Sequence, residues 1–505
     1  MPLFCLESRD THAYDQLPAA VTSSGLTPTP KGPHAWNLRI RGLALKILVP
    51  VTLLSLICLL VYGPFDSFLS SRAELLDEQR LGADAVAQDD EVIVLPPLYG
   101  ELKVLESQLP QHNLSLPFPE GKNGRYIRFE NQMWGVGLNN QLEEILILSH
   151  LAHLSNRAYV FNNYTWDQIS KGPYVYENGR PRATVIPLTA FISGPTAGGP
   201  WAPGDPAPRA ISAEWWETVC PYEKRLVLNS TLENASMGLA PDVDGDILIA
   251  HWAEKLRNLD HECVALDGWA PSIVDIAFFV SNRVTSLFPM MSDSPVITRF
   301  AWSSIVRSGV IANYPLLLPG PSPQTISELP VLPGLVAIHL RRGDYYNHCK
   351  TILAPEGQEY MGWNRIDGLP DRFTPPPGAG GGALTPEAWT VYLSHCWPSD
   401  EQIKEKLRVV RAEDSTLTRV FVLTNGKREW VSSLKKKLLE DGWEDVATTL
   451  DLNLTWEQSG VNNAIDMEIA ARAQTFIGNG FSSLTSNVNI LRISRGMALE
   501  DIRFW

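Results

Sequence analysis

The sequence predicts an α/β protein of two lobes built on parallel sheets, and three observations carry that expectation. A short strand candidate, a glycine loop, a long helical pattern and a second strand follow one another over residues 126–161. Strand and helix patterns alternate again from Leu335 towards the C-terminus, the sign of strands joined by helical crossovers in a Rossmann-like sheet. The 505 residues exceed what one hydrophobic core usually holds. Between the two series lies Pro315–Pro333, which carries six prolines and one glycine and reads as a hinge.

Composition narrows the function classes. The chain is 44% apolar with 16 tryptophans, as a globular protein should be. Its net charge of −14 argues against nucleic acid as the main partner, because a phosphate backbone demands a basic face.

Residues 1–42 have no apolar period and read as a polar cytoplasmic tail. Leu43–Tyr62 is apolar except for Lys46, Thr52 and Ser55, and about 20 residues match a hydrocarbon core of roughly 30 Å. Lys31, Arg39, Arg41 and Lys46 lie before or at its start, whereas Asp66, Glu74, Asp77 and Glu78 follow it. The positive-inside rule then makes residues 43–62 a transmembrane signal anchor with the large C-terminal part luminal. A cleaved signal peptide is the competing reading, disfavoured by the long preceding tail and the lack of a small-residue cleavage site. Residues 63–121, rich in Pro, Leu and acidic side chains, read as a stem with a short helical pattern near Ser71–Leu81. The N-terminal lobe is expected over 122–320 and the C-terminal lobe over 321–505.

Five N-x-S/T sequons, at Asn113, Asn163, Asn229, Asn234 and Asn453, all follow the span and are glycosylation candidates in a luminal chain. Four cysteines, Cys220, Cys263, Cys349 and Cys396, fall in the luminal part. They allow three pairings; Cys220–Cys263 and Cys349–Cys396 are favoured because each closes a loop within one lobe. No pair has C-x-x-C spacing, so neither zinc nor a thioredoxin-like redox role is attractive.

The lobes bring several elements with chemistry. In the first, strand Tyr126–Glu130 precedes Trp134-Gly135-Val136-Gly137-Leu138-Asn139-Asn140-Gln141 and a helix with Leu142, Ile145, Leu146, Leu148, Leu151 and Leu154 on its apolar face. Glycines let backbone approach a ligand, and a helix start offers free N–H groups. Alone, this motif is equally a tight strand-to-helix turn. Asp242-Val243-Asp244 resembles a metal-binding D-x-D, but it leads into an expected strand, Ile247–Ala250, and reads as a solvated acidic turn. His251–Asp260, Ser272–Phe288 and Val296–Val310 read as helical.

In the second lobe, strand Leu335–Leu340 runs into His339, Arg341, Arg342 and Asp344, with Gly343 loosening the turn. Two arginines at a strand end suit a diphosphate, since each guanidinium donates a planar pair of N–H groups. Arg419–Leu423 reads as a strand ending at Thr424-Asn425-Gly426, followed by a helix over Glu429–Leu439. A helix at Ile465–Ala473, a strand at Thr475–Ile477, the turn Gly478-Asn479-Gly480 and a helix from Ser482 complete the series. The segment Thr351–Pro398, bracketed by Cys349 and Cys396 and centred on prolines and glycines, reads as an acceptor-side lid or a surface insertion.

Gly137-Leu138-Asn139-Asn140-Gln141, His339-x-Arg341-Arg342-x-Asp344, and Asp466 followed by Phe476-Ile477-Gly478-Asn479-Gly480-Phe481-Ser482-Ser483-Leu484-Thr485 stand in this order. Together they resemble the GDP-fucose-dependent fucosyltransferases, above all the protein O-fucosyltransferase-like branch, over roughly residues 126–490. The resemblance implies a GT-B fold with two facing lobes and the donor in the cleft. It implies inverting, metal-independent transfer of fucose from GDP-fucose to a protein Ser/Thr or a glycan hydroxyl. Arg341 would grip the β-phosphate and Arg342 assist, as the catalytic pair. His339 and Asp466 would read guanine and ribose; Ser482, Ser483 and Thr485 would bind the diphosphate; Gly137 and Asn139 or Asn140 would reach the donor from the opposite lobe. Asp344 would hold the arginines. One branch of the family carries a glutamate in the first glycine loop as general base; Val136-Gly137-Leu138 has no acid, and Glu143 and Glu144 lie further on. No cofactor or metal is expected. The partners expected are GDP-fucose and a secretory glycoprotein or glycan, at a Golgi or ER membrane. The alternatives are a glycan-directed fucosyltransferase and a catalytically silent relative that only binds a GDP-sugar.

Overall fold

Apolar runs buried on both faces form the centres of two separate five-stranded sheets. The computed structural model describes residues 98–505, apart from 134, 167–173, 178–179 and 321–330. The expected tail, span and Ser71–Leu81 helix lie outside the described residues, as does most of the hinge.

The N-terminal sheet is made of β1 (Tyr126–Phe129), β2 (Ala158–Phe161), β3 (Ile211–Ser212), β4 (Arg225–Leu228) and β5 (Cys263–Leu266), in the order β3-β2-β1-β5-β4 and parallel throughout. The C-terminal sheet holds β6 (Leu332–Leu340), β7 (Arg419–Thr424), β8 (Asp445–Thr448), β9 (Ala473–Gly478) and β10 (Ile502–Phe504). Its order is β8-β7-β6-β9-β10, again all parallel. β6 is the middle strand, which is why Leu335 to Ile338 is uninterrupted and fully buried. Such burial stabilises by about 1.5–3 kcal/mol for each large side chain.

Six helices matter for the site: α1 (Tyr99–Ser107), α2 (Leu138–Leu154), α3 (Gly245–Asn258), α4 (Arg428–Glu440), α5 (Asn462–Arg472) and α6 (Ser483–Ser494). Helix α2 follows the glycine loop as its apolar period predicts. It packs on α6 of the other lobe, so the two lobes meet through helices that follow interior strands of the two sheets. The helix Ser304–Ala312 adds a second junction against α5, where the Trp302 indole donates to Glu468 Oε2 at 3.0 Å.

Two expectations are corrected. Residues 98–121 are not stem but part of the N-terminal lobe. Leu102 of α1 is buried, Glu106 accepts from Thr189 Oγ1 at 2.7 Å, Gln111 donates to the Ala210 carbonyl at 2.6 Å, and Glu120 pairs with Arg209 at 2.6 Å. Ile247–Ala250 is not a strand but the first half of α3. Leu248, Ile249, Trp252, Ala253 and Leu256 are all buried, a spacing only a helix places on one face. The segment from Thr351 to Pro398 is packed on both sides of its Pro/Gly centre, where residues 374–387 are exposed or half-buried. Tyr360, Trp363, Ile366, Leu369, Phe373 and Tyr392 are buried, and Tyr360 and Phe373 stack at 5.4 Å. The helical reading of Ser272–Phe288 and Val296–Val310 resolves into shorter pieces, including Ile276–Phe279, Asn282–Leu287 and Pro295–Thr298.

The favoured cysteine pairs both form: Cys220–Cys263 with Cα atoms 5.7 Å apart, and Cys349–Cys396 at 6.4 Å. Asn113 and Asn453 are exposed. Asn163, Asn229 and Asn234 use their side chains inside the fold, towards Lys103, Asp267 and Trp252.

Candidate active site

In the C-terminal sheet the chain steps from β6 out to β8 and then returns to β9 on the other side of β6. The strand order therefore reverses between β6 and β9, and open α/β sheets take ligands in the crevice at the carboxyl ends flanking such a reversal. The two most specific motifs leave from those two strands.

After β6 the backbone turns at Gly343, whose φ of +70° belongs to the left-handed region. Asn425, just past β7, clamps the turn: its Oδ1 accepts from Arg342 N at 2.7 Å and its Nδ2 donates to the Arg342 carbonyl at 3.1 Å. The adjacent arginines then diverge. Arg341 keeps 22% of its side chain exposed, with its Nη2 3.9 Å from Asp344 Oδ1 and its guanidinium 5.6 Å from the Tyr345 ring centre. Asp344 Oδ1 is screened from water and makes no hydrogen bond among the described residues, so it steadies Arg341 by charge. Arg342 turns inward. Its guanidinium lies between Trp397 at 4.7 Å and Trp430 at 4.4 Å and donates to the Pro398 carbonyl at 2.7 Å. Burial lowers its pKa to about 10, partly offset by Asp400. Arg342, expected to assist Arg341, thus donates to the Arg341 and Pro398 carbonyls within the fold.

After β9, Gly478-Asn479-Gly480 leads into α6. A side chain at Gly480 would run into the Tyr360 ring, which is why glycine stands there. Asn479 Nδ2 donates to the Cys396 carbonyl at 2.9 Å, tying the turn to the disulfide. Ser482 is the N-cap of α6, and its side chain makes no cap hydrogen bond. The amides of the first helical turn, around Ser483, have no intrahelical acceptor and suit an anion. Thr485 behaves differently from expectation. It is fully buried, and its Oγ1 accepts from Asn479 N at 3.1 Å and meets His339 Nδ1 at 3.0 Å. Its hydroxyl builds the turn and is not left over for a ligand.

That contact joins the two motifs. Burial, and then the neighbouring Arg341, lower the His339 pKa to about 3, so the imidazole is neutral at physiological pH. Thr485 Oγ1 thus accepts from Asn479 N and shares a hydrogen bond with His339 Nδ1, and Nε2 is the second polar atom of the ring. Asp466 on α5 enters through a ladder across the strand ends. Thr424 Oγ1 donates to the Leu340 carbonyl at 2.6 Å, Thr424 N to Thr449 Oγ1 at 3.3 Å, and Thr449 Oγ1 to Asp466 Oδ2 at 2.8 Å. Asp466 Oδ1 is buried without a hydrogen-bond partner, and burial raises its pKa to about 7.

The opposing lobe contributes the start of α2. Gly137 is its N-cap, and Gln141 Nε2 donates back to the Val136 carbonyl at 2.8 Å, holding the glycine loop. Asn139 is buried and receives Asn487 Nδ2 on both its carbonyl, at 2.9 Å, and its Oδ1, at 3.3 Å. Asn139 thus fastens the lobes, and of the two asparagines the half-buried Asn140 is the one with a side chain to offer. Glu143, one turn on, is fully buried beside Ser486 and Gly362, and burial raises its pKa to about 8. Glu144 is equally raised, to about 8 by burial, and accepts from Met133 N at 2.7 Å and from Ser272. Neither carboxyl reaches the cleft surface.

Residues 324–493, about a third of the chain, match the family model described as GDP-fucose protein O-fucosyltransferase. Over that stretch the C-terminal lobe is similar to the O-fucosyltransferase family. That match makes the lobe a glycosyltransferase domain and spans both motifs of the switch-point crevice. No curated protein matches the chain. Among solved structures, POFUT1 in complex with GDP is similar at a TM-score of 0.46 and 15% identity, covering 76% of this chain and 98% of that one. POFUT1 in complex with GDP-fucose gives 0.45 and 15%, covering 78% and 99%. NodZ α-1,6-fucosyltransferase soaked with GDP-fucose gives 0.36 and 12%, covering 73% and 92%.

Three parts of this O-fucosyltransferase-type crevice were not assigned from sequence: the Asn425 clamp, the Trp397–Trp430 sandwich and the Thr424–Thr449 ladder. Only the Thr-Asn-Gly after a strand signalled the first. Asp242 and Asp244 lie exposed at the start of α3. Among the described residues no group of three His, Cys, Asp or Glu side chains is placed to hold a metal ion.

Proposed function

We propose that the chain is an inverting, metal-independent glycosyltransferase that moves fucose from GDP-fucose to a protein Ser/Thr or glycan hydroxyl. One observation carries the reading: the ends of β6 and β9 meet at the strand-order reversal, joined by the 3.0 Å contact between His339 and Thr485. On this reading Arg341, the N–H groups of the first turn of α6 and the Ser482 and Ser483 hydroxyls serve one donor site.

In glycosyl transfer the anomeric C–O bond to the diphosphate breaks as the acceptor oxygen attacks from the opposite face. Negative charge grows on the departing β-phosphate while the sugar takes oxocarbenium character. Preorganised donors aimed at that charge are usually the largest catalytic term. Arg341 supplies a full positive charge and α6 its N-terminal dipole. His339 Nε2 and Asp466 Oδ1, which makes no hydrogen bond among the described residues, offer polar contacts to the nucleoside, and Asn140 reaches the donor from the facing lobe.

The cellular setting is part of the same proposal: residues 43–62 anchor a single-pass type II protein in the Golgi or ER membrane. Two disulfides, which persist in oxidising compartments, and exposed sequons at Asn113 and Asn453 support a luminal catalytic part.

The test is Arg341→Ala. Turnover of GDP-fucose should fall by about 10²-fold or more in a variant that still melts as a folded protein. Full turnover by the folded variant would remove the assignment, and a wild-type protein that binds GDP-fucose without any turnover would make it a silent relative.

A further inference from the structure

The N-terminal sheet has its own strand-order reversal, and the fold leaves a side chain there that packing does not explain. In the order β3-β2-β1-β5-β4 the chain steps outward from β1 to β3 and then fills the other side through β4 and β5. The crevice between the carboxyl ends of β1 and β5 is thus the second ligand position of the molecule by the same topological rule. Its walls are the segments that follow these strands, Glu130–Met133 and Asp267–Asp275.

Trp269 stands on the second loop and is 98% exposed, the most exposed of the large hydrophobic side chains among the described residues. The loop beneath it is firmly tied. Trp269 N donates to Asp267 Oδ1 at 3.0 Å and Ala270 N to the Asp267 carbonyl at 3.0 Å. The Pro271 carbonyl accepts from Asn131 Nδ2 at 2.7 Å and from Ser230 Oγ at 2.5 Å, and Ser272 bonds to Glu144 of α2. An indole presented in water on a rigid base is preorganised for an occupant and loses little on binding.

The neighbouring chemistry selects the occupant. Glu130 retains 35% exposure, with its Oε1 4.0 Å from Arg128 Nε, and it borders the loop at Gly268; Asp267 takes Asn229 Nδ2 at 3.2 Å. A flat aromatic face on a loop flanked by the Glu130 and Asp267 carboxylates suits a pyranose, whose C–H face stacks on the ring while its hydroxyls donate to the carboxylates. The acidic side chains at this edge disfavour sialylated or sulfated glycans. The first loop continues directly into Asn139 and Asn140 at the interlobe contact, so an occupant here lies on the acceptor side of the crevice described above.

We propose that the Asp267–Pro271 loop is the acceptor subsite and Trp269 its platform, and that it takes a neutral saccharide. This rests on the transferase reading. The experiment uses the purified full-length protein on an array of neutral oligosaccharides, their sialylated counterparts and unglycosylated Ser/Thr peptides, without donor. Wild type should retain a neutral glycan. Trp269→Ala should weaken that binding at least 10-fold at an unchanged melting temperature, and Trp269→Phe should recover part of it. Glycan binding that ignores Trp269, retention of peptides alone, or a variant effect confined to self-association would each overturn the proposal. Because the array is read without donor, a wild-type protein that never turns over GDP-fucose refutes the transferase reading and leaves the Trp269 result to be judged by itself.

Discussion

Replacing Arg342 with alanine tests whether two adjacent arginines do different work. The Arg342 guanidinium lies 4.7 Å from the Trp397 ring centre and 4.4 Å from that of Trp430, and partly desolvated cation–π contacts contribute about 0.5–2 kcal/mol each. Its 2.7 Å bond to the Pro398 carbonyl has a charged donor and adds about 1.5–3 kcal/mol. Against these stands the cost of burying the charge, visible in a pKa lowered by desolvation to about 10. A net loss of about 2–4 kcal/mol follows, within the usual range for breaking a buried network. Unfolding entropies of about 2.1 cal/mol/K per residue over roughly 400 residues convert this to a fall in melting temperature of about 2–5 °C. Thermal denaturation with and without GDP measures it. Arg342→Lys should also lower the melting temperature, because an ammonium lacks the planar stack. Arg341→Ala should lower it by less, because the Arg341 side chain is partly exposed and its contacts with Asp344, at 3.9 Å, and with the Tyr345 ring, at 5.6 Å, are longer. An Arg342→Ala protein with wild-type stability and lost donor turnover would refute the division of labour and return Arg342 to the cleft.

Asp466 predicts a pH dependence. Its folded pKa is raised by burial to about 7, above the ordinary 3.8. The folded state therefore holds a proton between about 4 and 7 that the unfolded state has lost, so this group's contribution to stability falls as pH rises through that window. Binding runs the other way: a carboxylate accepting from a nucleobase must be ionised, so GDP affinity should rise from pH 6 to pH 8. Calorimetric titration of Asp466→Asn should show a flat profile and, at pH 8, about 10-fold weaker binding or more. Removing the Cys349–Cys396 bridge by double serine substitution releases a 47-residue separation, worth about 4 kcal/mol in the chain-entropy account. Denaturant titration should register that loss, and an unchanged midpoint would show that packing alone holds the segment.

What the sequence discloses depends on whether the deciding contact is local. The central strands could be read because β1 and β6 lie between neighbours and are mostly apolar, with Leu335 to Ile338 unbroken, and α2 could be read from its leucine period. Cysteine pairing was legible because each loop closes within one lobe. The fate of residues 98–121 was not, since Thr189, Arg209 and Ala210, which hold them, lie far along the chain. Ile247–Ala250 is a four-residue apolar run that fits either period, and only the later Trp252 and Leu256 decide for a helix. The two arginines are adjacent and chemically equal; Trp397 and Trp430 determine which turns inward. The prolines and glycines of the 351–398 segment suggested a loose loop and drew attention from Tyr360, Trp363 and Phe373, which pack its first half.

The central claim is a GDP-sugar site at the β6–β9 reversal, and a thermal-shift panel of nucleotides and nucleotide sugars on the full-length protein tests it most directly. At about 100 times the dissociation constant a ligand stabilises by about 2.7 kcal/mol, or roughly 3 °C for a chain of this size. The account predicts that GDP and GDP-fucose give this shift in wild type, that Arg341→Ala diminishes it, and that GDP-fucose alone among the sugars is turned over. Stabilisation by UDP and its sugars with none by GDP would contradict it.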